Sequence, residues 1–173
     1  MISQALIQEV RGQYRLSWNG LHGFGHWARV LENGLKLAEK TGANKHVVEL
    51  FAIFHDACRL NDDWDPNHGS RGADLAAKLR GKFFELNDQE FTALKFACRM
   101  HTDGLTKGEV TVLTCWDADR LDLGRVGVKP YKELLCTNAA KETRLYEWAN
   151  DRACNREIPE FARKDWTHSM SGV

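Results

Sequence analysis

Apolar residues recur along most of the chain at intervals of three and four rather than alternating, a pattern that predicts helices nearly throughout. An amphipathic helix is expected over about residues 2–12, and Trp18-Asn19-Gly20 leads from it into a longer one over about 25–40. There Val30, Leu31 and Leu37 lie on or beside the face of His26, and Gly42 closes the helix as a C-terminal glycine does. Over about 44–58, Val47, Leu50, Phe51, Phe54 and Cys58 form one apolar stripe, with His55 and Asp56 towards its end. The polar run from Asn61 to Gly69 reads as an exposed loop, of the kind that often carries function at a helix end. Further helices are expected near 70–80, 87–102, 109–122 and 138–156, before a polar tail ending Ser169-Met170-Ser171-Gly172-Val173. With three prolines, no repeat and no linker, the pattern gives an all-α helical bundle in one domain spanning 1–173.

Composition narrows the classes of partner. The 24 Lys and Arg balance the 24 Asp and Glu, so no net charge announces a nucleic-acid backbone or an anionic membrane, and a small substrate is the default. Five cysteines, widely spaced and without a CxxC pair, read as reduced thiols and so as a cytoplasmic protein. The first residues carry Gln4, Gln8 and Glu9 among the apolar positions, unlike a signal peptide, and no run approaches the ~20 apolar residues of a membrane span.

The chemistry is concentrated in His26, the His55-Asp56 pair and an aspartate of the Asp117-Ala118-Asp119-Arg120-Leu121-Asp122 run. Imidazole nitrogens and carboxylate oxygens from three separate helices suit a divalent transition metal. Polar groups carried on apolar helices are driven inward and need partners, and one metal satisfies several at once. Each piece alone has a plainer reading, since a His-Asp pair at a helix end is equally a cap. Asp117, Asp119 and Asp122 compete for the third position.

Taken in order, the pieces resemble the HD superfamily of metal-dependent phosphohydrolases, which reads as a His, then His-Asp, then a distant Asp. Here these are His26-Trp27-Ala28-Arg29-Val30, Phe54-His55-Asp56 and Ala118-Asp119-Arg120-Leu121, over residues 20 to about 128. The resemblance implies an HD-type helical core at about 20–128, followed by a C-terminal helix and tail at 129–173. It selects Asp119 as the last ligand and implies His68 and His101 as ligands for a second metal, since two-metal members carry two histidines between the second and third motifs. The implied cofactor is one or two divalent ions (Mn, Fe, Co, Ni, Zn or Mg), and the implied reaction is attack by metal-activated water on a small phosphorylated substrate such as a nucleotide. The glycine-tyrosine-proline signature of the cyclic-dinucleotide branch is missing after His101.

Around this set, Asp56, Arg59 and His22 are the candidate catalytic residues, with His22 placed to meet the substrate or donate a proton. Arg59, Arg71, Arg120 and the loop residue Trp64 are the candidates for substrate binding, while Trp116 reads as packing. Two other readings keep the same residues: a di-iron oxygenase built on the HD fold, and a non-catalytic binding or regulatory module.

Overall fold

The structure is a computed structural model that describes residues 2–166; the expected tail at 169–173 lies outside the described residues. The described chain is all-α, with no strand. In order, the helices are α1 (Gln4–Gln13), α2 (Phe24–Thr41), α3 (Lys45–Phe54), α4 (His68–Leu79), α5 (Asp88–Met100), α6 (Val110–Arg120), α7 (Asn138–Lys141), α8 (Thr143–Cys154) and α9 (Glu160–Asp165). None is long and apolar enough to cross a membrane.

The core is built on α2, which packs along both α3 and α6, while α5 closes over α3 and α4. Trp27, Leu37, Phe51, Phe54 and Trp116 are fully buried, so the apolar stripes of α2, α3 and α6 meet in one core. Two polar contacts fix the register. Asn33 Nδ2 donates to Ala118 O at 3.1 Å, tying α2 to α6, and Trp116 Nε1 donates to Ala97 O at 3.0 Å, tying α6 to α5. Trp116 is thus packing, as its spacing suggests.

Gly69 and Gly72 let α4 approach closely. A Cβ at Gly69 would lie 2.1 Å from Cys98 O, and one at Gly72 would lie 2.0 Å from Phe54 O. Only hydrogen fits at either position, and that closeness sets the start of α4 beside the ends of α3 and α5.

Two boundaries differ from the sequence pattern. The helix expected over about 44–58 stops at Phe54, because a turn in which Ala57 N bonds Phe54 O and Arg59 N bonds Asp56 O replaces the helical ladder. The helix expected over about 138–156 is broken at Glu142, whose ψ of 123° is extended, and α9 follows as a further short helix.

Candidate metal centre

Five helices and one turn deliver the candidate ligands to a common point. His26 comes from the first turns of α2, His55 caps α3, Asp56 lies in the turn after it, His68 opens α4, His101 caps α5, and Asp119 is near the end of α6. The four histidines and Asp56 are all at most 5% exposed. His26 Nε2 and His55 Nε2 are 3.0 Å apart, and His68 Nε2 and His101 Nε2 are 2.9 Å apart. Asp56 lies between the pairs. Its Oδ2 is 3.5 Å from His26 and 3.8 Å from His55, while its Oδ1 is 3.1 Å from His68 and 3.7 Å from His101. Asp119 Oδ1 joins the first pair, 3.5 Å from His26 Nε2 and 3.7 Å from His55 Nε2.

The other nitrogen of each ring explains why these atoms face one another. His26 Nδ1 contacts Asp122 Oδ2 at 2.7 Å, His55 Nδ1 contacts Phe51 O at 3.1 Å, His101 Nδ1 contacts Cys98 O at 2.7 Å, and His68 Nδ1 contacts Asp65 O. Those four partners can only accept, so each Nδ1 carries the proton and each Nε2 presents a lone pair. Two pairs of lone pairs, each turned toward one carboxylate oxygen, form a donor set that a cation satisfies. The separations agree, because two metal–nitrogen bonds of about 2.0–2.1 Å at 90–110° span roughly 2.9–3.4 Å. The residues present fit two divalent ions: one among His26, His55, Asp56 and Asp119, and one among Asp56, His68 and His101.

The shifts of Asp56, Asp119 and His55 agree with that fit. Burial pushes the Asp56 carboxyl up, but His55 and the contacts from His101, His26 and His68 outweigh it and hold the group well below the usual carboxylate range. Asp119 is likewise raised by burial and then drawn down to about 2 by His55, His26 and His101. Burial takes His55 down to about 3 against the pull of Asp56 and Asp119, so it is a neutral ligand at neutral pH. Burial also lowers His101, but its contact with Asp56 and the field of Asp119 carry it above the ordinary value.

Of the three competing aspartates, only Asp119 reaches the first histidine pair with a free oxygen. Asp117 accepts from Cys136 N, Thr137 N and Thr137 Oγ1, which anchors the chain after α6. Asp122 is fully buried between His26 Nδ1 and Arg29, whose Nε and Nη2 donate to it at 2.6 and 3.1 Å. Asp122 and Arg29 therefore orient the candidate ligand His26, a role the sequence reading did not give them. The signal was present, since Arg29 is the arginine of His-x-x-Arg-Val and Asp122 follows Ala-Asp-Arg-Leu.

The remaining candidates separate. His22 is 7% exposed and its Nδ1 contacts Asp62 Oδ1 at 2.9 Å. Burial lowers its pKa, and Asp56 and the Asp62 contact partly restore it. Arg59 is buried against the centre. Its Nη1 lies 3.4 Å from Asp56 Oδ1 and 3.1 and 3.4 Å from the two nitrogens of His68, and its Nη2 donates to Asp63 O at 2.7 Å.

Arg71 and Arg120 require correction. Arg71 is spent on Asp65 and Cys58 O, and Arg120 donates to Leu134 O and Leu105 O at 2.7 Å each, pinning loops and contacting none of the candidate ligands. Trp64 is 83% exposed, with no ring contact among the described residues. The acidic loop is more than solvated surface: Asp62 meets His22, Asp63 O holds Arg59, and Asp65 holds Arg71, Leu60 N and His68.

No family model and no curated protein matches the sequence. A solved structure does: a predicted HD superfamily hydrolase from an uncultured Thermotogales bacterium, with a TM-score of 0.63 and 24% identity over 86% of each chain. An all-α bundle that superposes on that structure along 86% of its length has the HD-domain fold.

Proposed function

We propose that the protein is a metal-dependent phosphohydrolase acting on a nucleotide or other small phosphate ester, with the whole chain forming one HD-type domain. The observation that carries this reading is Asp56, whose two carboxylate oxygens each face one pair of histidine Nε2 atoms. His26, His55, Asp56 and Asp119 would hold one divalent ion, and His68 and His101 would share Asp56 with a second. When bound, such ions acidify a coordinated water and neutralise charge on a phosphoryl group.

The chain's own residues supply the rest. His22 carries its proton at Nδ1, toward Asp62, which leaves Nε2 without a partner among the described residues and able to move a proton to or from substrate. Arg59 adds a positive charge beside Asp56 and His68, where non-bridging phosphoryl oxygens need compensation. Trp64 offers an exposed flat face on the same loop, suited to a base. All five cysteines are free, which supports a reducing, cytoplasmic setting.

The test is elemental analysis of the purified protein, followed by a screen of nucleotides and sugar phosphates for phosphate release, with Asp56→Ala alongside. The expected result is metal-dependent release that is lost, together with the metal, in the variant. Full metal content in Asp56→Ala, or no release from any ester by the loaded protein, would sink the reading. Tight iron with a mixed-valence spectrum and oxygen consumption would transfer it to the oxygenase, and loaded but inert protein to a binding module.

A further inference from the structure

Beside the metal centre is a cavity of about 230 Å³ with His26 in its wall. Arg29, Arg125 and Arg156 line it, and no acidic side chain does. Asp122, behind the wall, offsets Arg29 and lies 3.8 Å from Arg125 Nε, so three guanidinium charges meet one carboxylate. Arg125 is 7% exposed; its Nε and Nη1 donate to Leu21 O and Asp122 O, while its Nη2 has no hydrogen-bond partner among the described residues. The cavity also receives the start of α2, which has no side-chain cap. Around it Phe24 N bonds Trp18 O and His26 N bonds Gly23 O, but the Gly25 N–H has no acceptor among the described residues. Buried positive charge and a free amide at the positive end of an 18-residue helix both favour an anion.

Arg156, itself exposed, is the third guanidinium of the lining. It follows the cap of α8 with φ +50°, the left-handed conformation that glycine adopts there without penalty. An arginine at that position costs about 1 kcal/mol or more relative to glycine. Its Nε and Nη2 bind Arg125 O, which brings the guanidinium to the cavity. Non-glycine residues held in that region cluster at ligand sites.

We infer that this cavity is an anion subsite, in which Arg125, Arg156 and the Gly25 N–H take a phosphoryl group of a small molecule. The group is either a second phosphoryl of the substrate or free phosphate. Binding does not depend on turnover at the metal centre; only the assignment to substrate rests on the phosphohydrolase reading.

Inorganic phosphate is the probe, titrated calorimetrically into the metal-loaded full chain and into two variants. Arg156→Gly removes one guanidinium and places the favoured residue at φ +50°. Gly25→Leu keeps every charge and plugs the space, since a Cβ there meets Arg29 Nη1 and Ile158 Cγ1 at an ordinary 3.6 Å. Wild type should bind one phosphate in the cavity besides any at the metals, and each variant should weaken or lose that event by about tenfold or more. Unchanged stoichiometry and affinity in both folded variants would overturn the subsite, whether or not any ester is hydrolysed. Where esters are turned over, a fall of about tenfold in the kcat/KM ratio of a bisphosphate to a monophosphate in Arg156→Gly assigns the anion to the substrate. Lost phosphate binding with an unchanged ratio assigns it to free phosphate.

Discussion

The two halves of the candidate metal centre are built differently. His26 and Asp119 stand on α2 and α6 and His55 caps α3; His55 is aimed by Phe51 O, but His26 is aimed by a buried charge pair between Asp122 and Arg29. His68 and His101 stand at the ends of α4 and α5, and both are aimed by neutral backbone carbonyls, Asp65 O and Cys98 O. One of those carbonyls belongs to the 61–67 loop. A carboxylate partner raises ligand basicity and fixes the ring more strongly than a carbonyl does. The first half should therefore bind its ion more tightly, and the second should be the adjustable one.

The largest effect that would sharpen this contrast is at Asp122. Asp122→Asn removes the charge that orients His26 and leaves Arg29 buried without its counter-ion. Breaking such a pair costs about 3–5 kcal/mol. Loss of the partner of a ligating histidine weakens metal binding about 10- to 100-fold. Denaturant unfolding and chelator competition measure the two. Wild-type stability together with wild-type metal affinity would remove the asymmetry between the halves.

A smaller effect is expected in the other half. His68→Ala leaves the first candidate set intact and removes one of the two hydrogen bonds at Asp65 O, at a cost of about 0.5–1.5 kcal/mol. Titration of the loaded variant should show one ion retained where wild type holds two. Loss of both ions would mean that the halves act as one unit through Asp56.

The contrast between the halves also explains what could be read beforehand. The all-α class was legible because the stripe on α3 and the face of His26 on α2 repeat every three to four residues, and burial follows that repeat. The convergence of the candidate residues was legible because they sit in short contiguous strings of HD type. The framework behind it was not. Asp122 meets His26 across 96 residues and Arg29 across 93, and Arg120 finds one carbonyl before α6, at Leu105, and one after it, at Leu134. The break at Glu142 was hidden for a similar reason, because it depends on backbone angles that its side chain does not dictate. Arg71 and Arg120 were misjudged because proximity in sequence to a ligand says nothing about which side of the helix the guanidinium takes.

The smallest expected effect tests whether the loop of the second half also serves the reaction. Asp62 is half exposed and meets His22 at 2.9 Å, so its field is partly screened by water. Burial already lowers His22, and the Asp62 contact is one of two influences opposing that shift. Asp62→Asn removes the opposing charge, so the pKa of His22 should fall further. If neutral His22 takes a proton from the nucleophile, activity rises with pH through its pKa, and the acid limb should move to lower pH. If protonated His22 gives a proton to the leaving group, activity is lost as pH rises through its pKa, and the alkaline limb should move to lower pH. The limb that moves identifies the role. A small displacement is expected for a partly exposed partner. A profile superposable on wild type, with metal content unchanged, would separate His22 from the chemistry and leave the loop with only the placement of His68 and Arg59.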